Sequence, residues 1–378
     1  MIPRKRICIV CSAPGTFEAF LAPIVHRLSS EYDVTVAMNG RAAQPEVHSA
    51  EFRLVGLERK VMPLLDCRAL LQLIRLFSKE EFDLVHSFTP KAGLLAMLAA
   101  RLTGVPCRLH TFTGQVWATR NGVTRWLLKV MDRILALCAT EVLADSPSQL
   151  AFLVQEEIVP PGAGRILGAG SVCGVNLDRF RADPVVRKTV RRELGLDDSS
   201  VVYLFIGRMN TDKGLLDLAR AFGELARSHS DTYLVLVGPD EEGLGPKIRE
   251  ILSGLQDQLR LVAPTPYPEK YMQAVDVLCL PSYREGFGTV IIEAAACGLP
   301  CIASKIYGVT DAVEENVTGL LHPPKDTEQI LACMQRLRAE PALREEMGHA
   351  ARERVARLFS QPAVINALIE FYRARLST

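Results

Sequence analysis

Apolar residues along this chain fall into short β-branched runs separated by stretches of helical periodicity. The first half reads RICIV (6–10), a helical segment from about Phe17 to Leu28, YDVTVAM (32–38), DLVHSF (83–88), a helical segment from Gly93 to Leu102, and CRLHTF (107–112). Such runs bounded by turn signals predict strands, and apolar positions three and four apart predict helices. Their alternation predicts a parallel sheet covered by helices on both faces. After Arg181 the pattern restarts. ADPVVRKTVRRELGLDDSS (182–200), with Pro184 and a polar cluster, reads as a linker. Then come VVYLFIG (201–207), a helix from Gly214 to Arg227, TYLVLVG (232–238), a helix from Pro246 to Leu255, LRLV (259–262), DVLCL (276–280), a helix from Thr289 to Cys297, and PCIAS (300–304). The reading is two α/β domains, 1–182 and 183–358, followed by a mostly helical segment 359–378. Ligands in open α/β sheets bind outside the carboxyl ends of the strands, so the chemistry is sought in loops that follow strands.

A length of 378 residues exceeds what one core usually fills, which agrees with two domains. With 48% hydrophobic and 23% charged residues the chain is globular, without low-complexity tracts. The net charge of +1 conceals 21 Lys/Arg against 16 Asp/Glu through Arg181 and 23 against 27 beyond it, that is +5 and then −4. An anionic surface would be met by the first half. No basic tract points to nucleic acid. Most of the ten cysteines, among them Cys8, Cys11, Cys138, Cys279, Cys297 and Cys301, sit in apolar runs and read as small buried hydrophobes of a reduced, cytoplasmic compartment. Cys8 and Cys11 have CxxC spacing without the second pair a metal site needs. No apolar run reaches the roughly 20 residues that cross a bilayer, so any membrane contact is peripheral.

Three loops carry chemistry. Gly207-Arg208-Met209-Asn210-Thr211-Asp212-Lys213-Gly214 joins a strand to a helix, with glycines for tight geometry, helix-start N–H groups and two cations: a diphosphate cradle by composition, though a solvated basic loop has the same composition. It matches neither the Walker loop nor GxGxxG. Pro281 to Glu293 places Gly286 and Gly288 around Phe287 at the start of a helix, with Glu285 in the loop and Glu293 in an apolar turn. A carboxylate there needs a hydroxyl, amide or cation as partner, and a ribose diol would serve. Ser12-Ala13-Pro14-Gly15-Thr16 follows the first strand and by itself reads as a tight turn.

GRMNTDKG (207–214), PSYREGFGTVIIEAAACGLP (281–300) with its glutamates eight apart, and DAVEENVTGLLHPPKD (311–326) together resemble the donor-binding signature of glycosyltransferase family 4, retaining enzymes of the GT-B fold. HSFTPKAGLLAMLAARLTGVPCRLHTFTG (86–114) and SVCGVNLDRF (171–180) resemble the bacterial subgroup that extends polyprenyl-linked saccharides for capsule, O-antigen or exopolysaccharide. The resemblance implies two Rossmann-like domains facing each other across a cleft, with the terminal segment crossing back to the first. It implies a nucleoside-diphosphate sugar, a UDP-sugar, as donor and a saccharide or lipid-linked saccharide as acceptor, with no metal ion required. By position, Arg208 and Lys213 hold the diphosphate and stabilise it as leaving group, and Glu293 accepts from the ribose. The amides of Gly286, Phe287, Gly288, Thr289 and Val290, with Glu285, grip the sugar, while Gly15 closes over the phosphates. Two positions depart from the family. Relatives carry a histidine where this chain has Thr113, which leaves His110, water or backbone to assist; His110 and His86 also read as satisfied core histidines. Relatives carry glycine in the base-contacting loop at Ala263, beside Val262.

The acceptor falls to the first domain. Arg125, Lys129 and Arg133 form a basic stripe four residues apart on a helix otherwise apolar at Trp126, Leu127, Val130, Met131, Ile134 and Leu135. It reads either as a half-buried domain helix with a solvated basic edge or as an anionic-membrane contact. The competing functions are a GT-B transferase acting on a small molecule, a non-catalytic nucleotide-sugar binder, and a dehydrogenase. The last needs a glycine fingerprint that APGTF lacks.

Overall fold

The computed structural model describes residues 4–40, 50–58 and 62–377. The chain divides into two compact units, residues 1–173 with 362–378, and residues 174–361. Residues 174–182, read with the first domain from sequence, therefore cluster with the second.

The first unit is a seven-stranded parallel sheet in the order β3-β2-β1-β4-β5-β6-β7. Its strands are β1 (Arg6–Val10), β2 (Asp33–Met38), β3 (Glu51–Leu54), β4 (Leu84–Phe88), β5 (Cys107–Phe112), β6 (Glu141–Ala144) and β7 (Gly164–Arg165). β1, β4 and β5 are buried along almost their whole length, as parallel strands covered on both faces must be. Cys8 and Cys11 lie within and just beyond β1, and burial raises both thiols, Cys11 to about 12, so neither is a ready thiolate. The edge strand β3 was not signalled by the apolar pattern, being half-exposed and without a continuous apolar run, whereas the helix Pro63–Glu80, absent from the elements expected above, does carry the helical period, with Ala69, Leu73 and Phe77 buried four residues apart.

The terminal helix Gln361–Leu376 packs on this unit. Ile365, Leu368, Ile369 and Tyr372 enter a core with Ile7, Ile9, Val25 and Leu109. Arg373 pairs with Glu31, and the Tyr372 hydroxyl bonds His86 Nδ1 at 2.6 Å.

The second unit is a six-stranded parallel sheet in the order β10-β9-β8-β11-β12-β13. Its strands are β8 (Val201–Ile206), β9 (Thr232–Val237), β10 (Leu259–Val262), β11 (Val277–Leu280), β12 (Cys301–Ser304) and β13 (Gly319–His322). In each sheet the order reverses once, between β1 and β4 and between β8 and β11, where connections leave to opposite sides and open a crevice at the strand ends.

The stretch read as a linker is a helix, Pro184–Glu193. Asp183 caps it by accepting from the Val185 and Val186 amides, and Pro184 has the fixed φ that suits a first turn. Its basic pattern hid a buried anchor. Arg191, 1% exposed, donates to the Ala274, Asp197 and Ser200 carbonyls and faces Asp276. The helix expected from Pro246 to Leu255 runs Leu244–Ile251, begun by Asp240, whose carboxylate accepts from the Leu244 and Gly245 amides.

Candidate functional site

The two chemically loaded loops of the second unit follow β8 and β11, the neighbouring strands at the reversal point, and they are joined to each other. Lys213 Nζ meets Glu285 Oε1 at 2.5 Å, and Ser282 Oγ donates to the same oxygen at 2.7 Å. Arg284 pairs with Asp212 at 3.1 Å, and the Tyr283 amide donates to the Asp212 carbonyl at 2.8 Å. Gly214 is required here: its φ is +66°, and a Cβ would lie 2.1 Å from the Pro281 oxygen. A third loop, after β9, supplies carboxylates. Arg208 pairs with Glu241 at 3.1 Å, Asn210 donates to the same carboxylate, and Glu242 accepts from the Thr211 amide and hydroxyl.

Gly288, at φ +75°, starts the helix Thr289–Ala296. The first-turn amides of a helix have no carbonyl of their own, so those of Thr289 and Val290 face the loop as donors. Gly286 lies in the loop, whereas the Phe287 ring turns inward and packs edge-on against Phe359 at 5.2 Å. The Phe287 ring thus anchors the loop.

Glu293 lies in the same helix, half-buried. Desolvation pushes its carboxyl up to about 7, opposed by Arg179 and assisted by Glu269. Arg179 itself is held by Glu269 at 2.8 Å and by the Pro266 carbonyl at 2.6 Å. Val262 is the last residue of β10, at the sheet edge, and Ala263 beyond it is exposed.

The remaining candidates belong to the first unit. Gly15 is exposed in the short turn Pro14–Thr16 after β1, and a Cβ placed there would meet nothing within 4 Å. Thr113 follows β5 half-buried. His110 is 1% exposed, bonds Ser87 Oγ at 2.8 Å, and burial lowers its pKa to about 3. His86, fully buried, is held between Tyr372 and Thr111. Both histidines are neutral core members, so His110 does not replace a charged histidine at Thr113.

The basic stripe is not free. Arg125 and Lys129 share Glu156, and Arg133 pairs with Glu157. What the helix Gly122–Cys138 shows solvent is apolar: Val123 is 79% exposed, Trp126 62% and Leu137 73%, while Leu135, expected on the same face, is buried.

Sequence reasoning missed the site's acidic partners Asp212, Asp217, Glu241 and Glu242. The two glutamates sit in GPDEEG (238–243), a turn-rich loop directly after a strand, and that placement was the available signal. Among the described residues no His/Cys/Asp/Glu group is arranged to hold a metal ion.

Residues 186–354 match the family described as glycosyl transferases group 1, and residues 17–170 match the glycosyl transferase 4-like domain. The chain is 29% identical to the capsular polysaccharide biosynthesis glycosyltransferase CapM of Staphylococcus aureus, over 85% of each. It is 28% identical to the Escherichia coli UDP-Gal:alpha-D-GlcNAc-diphosphoundecaprenol alpha-1,3-galactosyltransferase, over 77% of this chain and 76% of the relative. It is 30% identical to a D-inositol 3-phosphate glycosyltransferase of Saccharomonospora viridis, over 85% and 77%. In fold it resembles a sucrose-phosphate synthase of Thermosynechococcus elongatus, with a TM-score of 0.83 at 22% identity over 99% of this chain and 100% of that one. It also resembles the Anabaena protein HepE in complex with UDP-glucose, with a TM-score of 0.81 at 18% identity over 98% and 99%. This chain belongs to the glycosyltransferases that join a 4-like domain to a group 1 domain, enzymes of the GT-B fold.

Proposed function

We propose that this enzyme moves a sugar, with retention of anomeric configuration, from a UDP-sugar to a polyprenyl-diphosphate-linked saccharide in surface polysaccharide synthesis. The observation that carries the reading is the convergence of Arg208, Lys213, Glu285 and a glycine-started helix on the loops after β8 and β11. Both cations rest on glutamates, Arg208 on Glu241 and Lys213 on Glu285. A donor diphosphate, with more charge and more acceptor oxygens, displaces those carboxylates and takes the cations over. As the sugar C1–oxygen bond to the diphosphate breaks, negative charge grows on the leaving oxygen beside Arg208 and Lys213. Two cations and helix-start amides supply there the electrostatic stabilisation that a divalent ion gives other transferases, so no metal is needed. Glu285, freed from Lys213, turns to the sugar hydroxyls together with the loop amides, and Glu293 accepts from the ribose.

The donor and acceptor classes are supported by the names of the relatives. The E. coli enzyme is named for UDP-Gal and a diphosphoundecaprenol-linked saccharide, and HepE holds UDP-glucose. The inositol phosphate relatives support a second acceptor class, a small soluble one. The exposed apolar face of Gly122–Cys138 favours the lipid-linked acceptor and peripheral contact with a membrane through apolar side chains rather than through the paired basic stripe.

Calorimetric titration with UDP, GDP and NAD tests the donor. UDP-selective binding unchanged by chelator is the expected result, and binding of NAD alone overturns the reading. Arg208→Ala and Lys213→Ala each lower transfer about 10- to 1000-fold; near-normal turnover in both removes the leaving-group role.

A further inference from the structure

Tyr283 has no part in the donor contacts proposed above, yet three elements meet on it. Its amide donates to the Asp212 carbonyl in the loop after β8. Its hydroxyl donates to Asp217 Oδ2 at 2.5 Å. Its ring lies beneath Lys325 Nζ, 5.1 Å from the centroid, in the loop after β13. Asp217 stands in the first turn of the helix Leu215–Ser228, where the helix dipole favours a negative charge, and it is only 7% exposed. Its other oxygen takes Arg220 at 3.0 Å, so the Tyr283 hydroxyl satisfies what would otherwise be a bare buried carboxylate oxygen. A hydroxyl-to-carboxylate bond in such surroundings is among the stronger hydrogen bonds a protein makes.

The residues that follow Tyr283 in the chain are the ones that carry the site: Arg284 on Asp212 and Glu285 on Lys213. A residue held by its hydroxyl to the helix Leu215–Ser228, by its ring to Lys325 and by its amide to the loop after β8 fixes the backbone from which Glu285 projects. We propose that the Tyr283–Asp217 clasp is the positioning device of the donor loop: it sets the place of the Glu285 carboxylate toward the donor sugar without itself touching the nucleotide. The proposal rests on the function given above, because Glu285 matters only if a donor sugar is bound there. The clasp acts on the sugar-facing carboxylate and leaves the diphosphate cations in place, so its loss separates two quantities that general damage to the fold would move together.

The test compares wild type with Tyr283→Phe, Asp217→Asn and Asp217→Leu, measuring UDP affinity by calorimetry and transfer from a UDP-sugar by kcat and KM. Misplacing a reacting group by about 1 Å costs up to about 100-fold in rate, so Tyr283→Phe is expected to lose about 10- to 100-fold in kcat with UDP affinity unchanged. Asp217→Asn keeps an acceptor for the hydroxyl and retains most of the activity. Asp217→Leu behaves like Tyr283→Phe, and the double variant Tyr283→Phe/Asp217→Leu is no worse than either single one. Full activity of Tyr283→Phe overturns the clasp. Parallel loss of UDP affinity and thermal stability in Tyr283→Phe also overturns it, by making the bond a merely structural one. A wild type that neither binds UDP nor transfers a sugar fails the functional reading instead, so the two failures are distinguished.

Discussion

Burial in the helix Thr289–Ala296 penalises the charged form of Glu293. Desolvation raises its pKa to about 7, above the ordinary carboxylate value of about 4.3. A carboxyl whose folded pKa is raised contributes stability below its unfolded pKa, and that contribution is lost as pH rises through the folded value. The ligand-free protein should therefore lose stability between about pH 4.5 and 7 through this group. Glu293→Gln should raise the melting temperature at pH 8 and leave it nearly unchanged at pH 4.5. Nucleotide binding runs the other way, because only the ionised carboxylate is a full acceptor for ribose hydroxyls. UDP affinity should rise more steeply from pH 6 to pH 8 in wild type than in Glu293→Gln, where only the second ionisation of the UDP terminal phosphate, at about pH 6, contributes. Calorimetry at both pH values checks this; equal slopes would remove the ribose role. The position was legible in the sequence as a carboxylate out of place in VIIEAAAC. The company of Arg179 and Glu269 was not, since they are brought there from distant segments.

At the scale of elements, the helix Gly122–Cys138 shows how tertiary contacts re-sort a pattern. The periodicity marked a basic face and an apolar face. Folding then spends the bases on Glu156 and Glu157 and places Arg125 and Lys129 over the Trp117 ring, leaving the apolar stripe in water. A stripe of Val123, Trp126, Leu127, Ile134 and Leu137 facing solvent costs solubility unless something covers it, and Asp132, the helix's acidic residue, is buried on Trp117 Nε1. Trp126→Glu with Leu137→Glu should abolish co-sedimentation with vesicles containing anionic phospholipid while transfer to a soluble acceptor analogue persists. Undiminished vesicle binding by that variant would rule out this face as the contact. The helix Pro184–Glu193 gives the converse case. Its sequence looked like a charged linker because nothing local reveals that Arg191 finds three carbonyls and an aspartate.

For the molecule as a whole, the first unit is completed by residues far from it in sequence. Tyr372 is buried against His86, and Ile365, Leu368 and Ile369 fill the sheet face beside Ile7 and Ile9. Truncation after Gln361 removes these side chains together, and each large apolar side chain so exposed forfeits about 1.5–3 kcal/mol. The expected outcome is a first unit that no longer folds while the second keeps a cooperative thermal transition and binds UDP. A truncated chain with both transitions intact would show that the helix is dispensable. Tyr372→Phe is the milder probe: it leaves His86 Nδ1 without its partner and should cost about 1–3 kcal/mol.

The sequence by itself determined the fold class, because parallel strands buried on both faces must be continuous apolar runs and the helices between them must be amphipathic. It also determined the strand-end loops that hold glycine, cation and carboxylate together, since their residues are adjacent in the chain. Tertiary structure alone decided who pairs with whom. Lys213 meets Glu285, Tyr283 meets Asp217, Arg208 meets Glu241, and the basic stripe is neutralised by Glu156 and Glu157 just past the helix Pro147–Gln155. Each such pair joins side chains from segments that only the strand order brings within reach. Local pattern records which side chains must leave water, and it carries no information about which partner waits there.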